Sequence, residues 1–129
     1  MTTQRRTPTM SGKTIVLDRV EQYFDSHNPG EPRKQVLQPT SLKMKSEEFV
    51  ALVGPSGCGK TTVLNMVAGL IHPTSGTVTL DGKTPRVGDS DVGYLLARDA
   101  LLPWRTALHN VSLPLEVRGV PKAEGEARA

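Results

Sequence analysis

Cysteine, aromatic residues and long apolar runs are scarce in this sequence. Its single cysteine, Cys58, excludes an intramolecular disulfide and a zinc site built from several cysteines. Aromatic residues make up 4% and hydrophobic residues 36% of the 129 residues, so we expect a modest, aliphatic core. The longest apolar stretch, residues 63–71, contains Asn65 and Gly69 and is too short to span a bilayer. No apolar run follows the basic N-terminal residues, so we expect no secretory signal.

The charge balance is weak support for a polyanionic partner. Lys and Arg number 16 against 13 Asp and Glu, which leaves a formal net charge of +3. Adjacent basic pairs occur only at residues 5–6 and 33–34. A nucleic-acid interface needs a denser basic patch. We therefore predict no nucleic acid among the partners.

The apolar pattern divides the chain into short elements. Residues 1–13 are polar and are predicted to form a disordered tail. A cluster of turn-forming residues lies at 25–32, and Asp81-Gly82 is a second turn signal, typical of a hairpin. After Pro103, apolar residues recur at helical spacing, although Pro114 interrupts the pattern. Strands are predicted in four further places: residues 14–24, 36–46, 77–80 and 92–96.

A strand, a loop and a helix are predicted in succession in the middle of the chain. Residues 49–53 are continuously apolar, which is typical of a central strand covered on both faces. The glycines of residues 54–59 cannot continue that strand. From Lys60 to Leu70 the apolar residues fall on one side of a helix, which Gly69 and Pro73 end.

The loop carries the strongest functional signal, because residues 54–61 match G-x-x-x-x-G-K-[ST] at every fixed position. Glycines let the backbone turn tightly and present N–H groups to phosphate oxygens, and the following helix adds its positive end. Lys60 would reach the β- and γ-phosphates, and the Thr61 hydroxyl would hold Mg²⁺. The candidate nucleotide-binding residues are Gly54, Pro55, Ser56, Gly57, Cys58, Gly59, Lys60, Thr61 and Thr62.

Two other interpretations of this loop are open. It is a glycine-rich turn without a ligand, or Cys58 serves a redox role; at a variable position of the motif, a small filling residue is the simpler interpretation of Cys58. Hydrolysis by such loops needs a second acidic site at the end of an apolar strand. Asp81 lies at a hairpin edge and Asp99 follows a short strand, so neither is a convincing partner.

With these residues considered together, the chain resembles the ATP-binding cassette (ABC) subunits of transporters. The resemblance is carried by residues 48–62 and by Ala68-Gly69-Leu70, and it spans residues 14–121. Further matching segments are residues 73–76, 80–83, 101–106 and 110–111. The segment from Leu101 to Thr106 is similar to the branch that imports nitrate, sulfonates, taurine or bicarbonate.

The resemblance implies a fold, cofactors and partners. Residues 14–129 would be the N-terminal portion of an α/β P-loop NTPase domain, with an antiparallel β-subdomain and the start of the core sheet. ATP and Mg²⁺ would bind, Lys60 would act in catalysis, and Phe24 or Tyr23 would stack on adenine unless it is a core aromatic. Trp104 would lie near the transmembrane partner or cap the core. Permease subunits and a second ATP-binding subunit would be partners, on the cytoplasmic inner face of the membrane.

The chain departs from the family pattern in three ways. Ala97 stands where the family usually has Gln, with Arg98 and Asp99 as neighbours, and Glu47 stands where it usually has Gly. The Leu-Ser-Gly-Gly-Gln signature, the second acidic strand, the catalytic Glu and the switch His are not in the sequence. His109 comes too early to be that His. The sequence therefore predicts a chain that binds ATP and does not hydrolyse it alone.

Two further functions are open on the residues themselves. A different phosphoryl-transfer enzyme, such as a small-molecule kinase, would want an arginine-rich lid, for which only Arg105 and Arg118 are available. A non-catalytic interaction module that keeps the loop as a remnant is the other alternative. Stabilisation by Mg-ATP would separate a binding loop from a remnant.

Overall fold

The computed structural model describes residues 12–26, 28–89, 92–96 and 100–129. Its two compact units meet in sequence at Val92 and Gly93. The predicted tail falls largely on residues 1–11, outside the described part, and stays a prediction. The elements of the first unit are β1 (Ile15–Phe24), β2 (Lys34–Met44), α1 (Lys60–Val67) and β3 (Ser75–Leu80), and those of the second are α2 (Ala107–Val117) and α3 (Lys122–Arg128).

The strands form one antiparallel sheet with the order β2-β1-β3. Ile15 pairs with Met44 on one side and with Leu80 on the other. Both N-terminal strands are therefore confirmed, the second at residues 34–44 where 36–46 was predicted, and residues 28–30 of the predicted turn form a bend and a turn. The turn at Asp81-Gly82 is also present, but only an isolated bridge from Leu80 to Lys83 follows it. The partner of β3 is β1, not a hairpin strand that comes after it.

A bulge bends β1 where Arg19 adopts φ 45°. The pairing with β2 shifts between Leu17 and Val20, and Arg19 N donates to Ser41 Oγ over 2.9 Å. Gly76 of β3 lies directly against this bulge: a Cβ there would come within 2.3 Å of the Arg19 carbonyl oxygen, and Gly76 has φ 81°. The bend in the strand thus requires glycine at position 76.

The core lies between the sheet and α1. Its buried residues are Leu17, Val20, Leu37, Val63, Met66 and Val78. The helix ends in a Schellman motif: Leu70 N donates to Asn65 O over 2.9 Å, Gly69 N donates to Met66 O over 3.0 Å, and Gly69 has φ 72°. The sequence signal at Gly69 located this end correctly.

Residues 49–53 do not form the buried central strand that their composition predicts. The structure assigns them no strand, and Phe49 and Val53 are 94% and 92% exposed. Only Leu52 packs against the core. A strand forms only where its backbone groups find partners, and no strand of the described residues pairs with this segment.

The strand predicted at residues 92–96 is likewise absent. These residues have no regular secondary structure, and Leu95 is 95% exposed. Alternating apolar residues mark a strand only when one face is covered, and Tyr94 and Leu96 are also exposed. The next three positions, Ala97, Arg98 and Asp99, lie outside the described residues.

The second unit contains a helical pair. Thr106 caps α2 by accepting a hydrogen bond from His109 N, and the helix continues past Pro114 to Val117. Arg105 donates to both carboxylate oxygens of Glu116 over 2.7 and 3.2 Å. These hydrogen bonds are the main reason that the pKa of Glu116 lies below its ordinary value. The helical pattern after Pro103 is thus confirmed.

No helix among the described residues is both long and apolar enough to cross a membrane.

Candidate functional site

The glycine-rich loop at residues 54–59 leads directly into α1. Gly57 and Gly59 have φ values of 82° and 92°, in the left-handed region that side chains with a Cβ rarely adopt. The first helical bond runs from Val63 N to Gly59 O over 2.9 Å. The two glycines therefore turn the chain sharply enough for α1 to begin at Lys60. The predicted loop-to-helix transition is confirmed.

Strand β2 supports the loop from behind. A Cβ at Gly59 would lie 3.1 Å from both the Val36 carbonyl oxygen and Leu37 Cδ1. Val36 is the additional residue of a bulge, because Gln22 pairs with Leu37 and Tyr23 pairs with Gln35. This role of Val36 was not found from the sequence, where it counted only as an apolar strand residue.

A cavity of about 280 Å³ lies between the loop, the first turn of α1 and β2. Most of its lining comes from residues that the motif identified, and Val36 is the addition. The lining residues are Val36, Ser56, Gly57, Gly59, Lys60, Thr61 and Thr62. The fold therefore brings Lys60 and both threonines to one concave surface.

The N-terminal end of α1 is electrostatically positive. Gly59 provides no side-chain cap, and the first turn of the helix contains no acidic residue. The amide groups of a first helical turn carry partial positive charge, and Lys60 adds a full charge beside them. This end of α1 thus favours an anion.

The Lys60 ammonium group is held by the loop. Its Nζ donates to the carbonyl oxygens of Gly54 and Pro55 over 2.8 and 2.7 Å. It also lies 3.6 Å from Cys58 Sγ. The sulfur packs so close to Gly54 that a Cβ at position 54 would lie 2.8 Å from it. Pro55 and Cys58 therefore face Lys60 and do not line the cavity.

The two candidate aromatic residues lie at the end of β1. Phe24 is its last residue, pairs with Lys34 and is 41% exposed. The Tyr23 hydroxyl donates to Glu21 Oε2 over 3.3 Å. Burial, and then the Glu21 carboxylate, raise the pKa of Tyr23. The Tyr23 ring thus has a polar partner in Glu21, whereas the Phe24 ring has an exposed apolar surface.

Asp81, one of the two acidic candidates, does not add a metal centre to the loop. Asp81 follows β3, where Oδ1 accepts from Thr14 N over 2.8 Å and Oδ2 lies 3.2 Å from Lys13 Nζ. Its carboxylate therefore ties the start of β1 to the turn. Within the described ranges, no group of three or more His, Cys, Asp or Glu side chains could hold a metal ion. Asp99, the other candidate, is outside those ranges.

The remaining predicted positions are explained by their surroundings. Glu47, where the family resemblance expects glycine, has φ 64°, a conformation that glycine adopts at lower cost. His109 Nε2 lies 3.3 Å from Glu126 Oε1, so it links α2 to α3. His72 is exposed, and His27 is not among the described residues. Trp104 is 77% exposed and does not cap a core.

Comparisons with known proteins identify the family. The ABC transporter family model matches residues 37–128, which is well over half of the chain. The chain belongs to the ABC transporter family. This result favours the transporter interpretation over an unrelated phosphoryl-transfer enzyme.

Relatives of similar sequence include ATP-binding proteins of this family. ABC transporter ATP-binding protein MJ0412 of Methanocaldococcus jannaschii is 46% identical over 92 residues, which cover 71% of this chain and 34% of the relative. The taurine import ATP-binding protein TauB of Mesorhizobium japonicum is 41% identical over 115 residues, or 89% of this chain and 43% of the relative. The chain thus spans less than half the length of these relatives.

A solved structure shares the fold. The dimeric, post-hydrolysis structure of the ATP-binding cassette MJ0796, bound to ADP and Pi, superposes with a TM-score of 0.76 at 32% sequence identity. The match covers 88% of this chain and 53% of that one. The α/β fold expected from the resemblance, with an antiparallel sheet beside the loop and its helix, is therefore confirmed.

Proposed function

We propose that the chain is the nucleotide-gripping part of an energy-coupling ATPase subunit of an ABC importer. One observation carries the proposal: the left-handed glycines Gly57 and Gly59 place Lys60, Thr61 and the positive end of α1 around one cavity. A triphosphate tail is the anion whose length and charge suit such a loop. Membership of the ABC transporter family supports this ligand.

The residues present fit ATP. The first turn of α1 has no acidic residue and no side-chain cap to compete with an anion, and Lys60 supplies a movable positive charge. In the proposal, Lys60 holds the β- and γ-phosphates and the backbone N–H groups of Gly54 and residues 56–62 surround the tail. Phe24, with its exposed ring at the end of β1, provides a face on which adenine stacks.

Magnesium fits one residue of the site. The Thr61 hydroxyl lies in the first turn of α1 and lines the cavity, so it is the group proposed to hold Mg²⁺. When bound, the ion would neutralise charge on the phosphate oxygens. Thr61 orients that ion in the proposal, and Thr62 completes the polar wall beside it.

The transport role and the partners are proposed from relatives. Several of the similar proteins are taurine import ATP-binding proteins, 41–44% identical to this chain. They support an importer of small anions such as taurine, sulfonates or nitrate. The MJ0796 cassette is described as dimeric, which supports a second ATP-binding subunit as partner. In the proposal, permease subunits are the other partners, and the protein lies on the cytoplasmic face of the membrane.

A thermal-unfolding experiment with Mg-ATP tests the binding role. Saturating ligand at 100 times its Kd should stabilise the 129-residue chain by about 2.7 kcal/mol. Lys60→Ala should abolish most of this gain, because among the described residues it removes the only full positive charge of the cavity lining. Lys43→Ala makes the same charge change on the exposed part of β2 and should retain the gain.

The same experiment separates the alternatives. If the wild type gains no stability with Mg-ATP, the chain is the non-catalytic remnant considered above. Equal loss of stabilisation in Lys60→Ala and Lys43→Ala would mean that net charge, and not the loop, governs the response. Turnover of ATP by the purified chain in a Lys60-dependent manner would contradict the prediction that it binds without hydrolysing alone.

A further inference from the structure

The loop competes with any phosphate group for the Lys60 ammonium. Lys60 Nζ donates to Gly54 O and Pro55 O and lies 3.6 Å from Cys58 Sγ. We call these three contacts the lysine clasp. All three acceptors belong to the loop itself, so an anion in the cavity gains the full charge of Lys60 only if the clasp is given up.

Cys58 holds one side of this clasp. Its sulfur lies 3.6 Å from the Lys60 ammonium and packs against Gly54, since a Cβ at position 54 would come within 2.8 Å of Sγ. Gly54 therefore leaves room for the sulfur at the position that it occupies 3.6 Å from Nζ. The backbone of Gly54 lies outside the left-handed region, so this close approach, and not conformational freedom, is what its missing side chain provides.

We infer that Cys58 is a positioning residue that holds Lys60 in the clasp and thereby weakens the binding of phosphate-containing ligands. Weakening the clasp raises the fraction of chains whose Lys60 is available, and the apparent Kd falls by the same factor. The effect on phosphate affinity rests on the proposed function, whereas the effect on the Lys60 amine does not.

Acetylation of Lys60 measures the clasp without any nucleotide. N-hydroxysuccinimidyl acetate reacts with the deprotonated amine of a lysine that has left its hydrogen-bond partners. Mass spectrometry of peptides gives the rate at each lysine. Cys58→Ala should speed the acetylation of Lys60 about twofold to fivefold, the effect of losing one weak hydrogen bond. Lys43, exposed on β2, serves as the internal reference and should not change.

The serine variant distinguishes positioning from packing. Cys58→Ser retains an acceptor for the ammonium, so its rate at Lys60 should lie closer to the wild type than to Cys58→Ala. If both variants accelerate acetylation equally, lost packing explains the result and the inference is wrong. If neither changes the rate, the sulfur does not hold Lys60. Unchanged unfolding midpoints show that each variant is folded.

Gly54→Ala provides an independent variant. Its added Cβ meets the sulfur at 2.8 Å and should displace it, which accelerates acetylation of Lys60 as Cys58→Ala does. The double variant should show no further acceleration, since both changes remove the same contact. Additive accelerations would contradict a shared cause.

Binding of pyrophosphate tests the predicted effect of Cys58 on phosphate affinity. Calorimetry should show its Kd falling about twofold to fivefold in Cys58→Ala, in parallel with the acetylation rate. If the wild type binds neither pyrophosphate nor Mg-ATP while acetylation responds as expected, the clasp stands and the proposed function fails. If binding is strong but acetylation is the same in all variants, the clasp fails and the proposed function stands.

Discussion

Asp81 shows how one carboxylate joins two strands at their ends. It accepts from the Thr14 backbone N–H and pairs with Lys13, so it fastens the start of β1 to the turn after β3. The Thr14 hydrogen bond is the main reason that the pKa of Asp81 lies below its ordinary value, and Lys13 adds to the effect. The ionised carboxylate is therefore the form that stabilises the fold.

We predict a pH dependence from this carboxylate. Because its pKa is lower in the folded chain than in the unfolded one, its contribution to stability is present above about pH 4 and is lost as the pH falls further. Asp81→Asn keeps the size and the acceptor but not the charge. Urea unfolding should show the wild type more stable than Asp81→Asn at neutral pH, with the difference shrinking in acid. A difference that stays constant with pH would contradict the assignment.

At the level of residues, the sequence predicted the glycine-rich loop but not the contact of Val36 with Gly59, which supports the loop. The spacing of Gly54, Gly59 and Lys60 is a local pattern, so it can be recognised without a structure. Val36 is about twenty positions away along the chain, and its place beside Gly59 depends on a bulge in β2 that no residue type signals. The lysine clasp likewise depends on side-chain geometry.

At the level of elements, the bulge of β1 and Gly76 of β3 form a matched pair. The Arg19 carbonyl lies where a Cβ of residue 76 would be, and Gly76 also has a left-handed backbone. A substitution at Gly76 therefore has two costs: the left-handed backbone and the collision with Arg19. A substitution at Gly30 has only the backbone cost, since Gly30 has φ 91° and nothing lies within 4 Å of a built Cβ.

We predict that Gly76→Ala destabilises the chain far more than Gly30→Ala. The left-handed backbone alone costs about 1–2 kcal/mol with alanine, which is the effect expected at Gly30. At Gly76 the collision with the Arg19 backbone should raise the loss to about 3 kcal/mol or more. Urea denaturation gives both values. Equal losses in the two variants would show that the strand can move away from the new side chain.

Elements fixed by local signals were predicted well, and elements that need distant partners were not. The end of α1 depends on Gly69 and on hydrogen bonds within a few residues, and the prediction there was correct. Residues 49–53 are as apolar as a central strand, yet Phe49 and Val53 are exposed. Composition reports what a segment can bury, whereas pairing depends on which other strands lie beside it.

At the level of the whole molecule, the two units differ in what the sequence revealed. The first unit holds the loop, the sheet and the core; the motif predicted the loop with its helix and the apolar pattern predicted the strands of the sheet, although the strand predicted at residues 49–53 is absent. The second unit was harder because Pro114 lies inside α2, where a proline is normally unfavourable. The Thr106 cap and the pair of Arg105 with Glu116 support that helix, and neither follows from apolar spacing.

The match to the ABC transporter family extends over both units of the chain. The match to residues 37–128 includes most of β2, the loop and both helices of the second unit, so the two units belong to one family pattern. The relatives are more than twice as long as the matched segment. We therefore limit the proposed function to this part of the protein: the loop amides and Lys60 bind a triphosphate tail.

Titration of the ¹⁵N-labelled chain with Mg-ATP, followed by amide chemical shifts, tests this claim most directly. We expect the largest changes at Gly57, Gly59, Lys60, Thr61 and Thr62, all saturating with one Kd, and no such changes in Lys60→Ala. Changes confined to other parts of the chain, or loop amides that do not respond at saturating ATP, would contradict it.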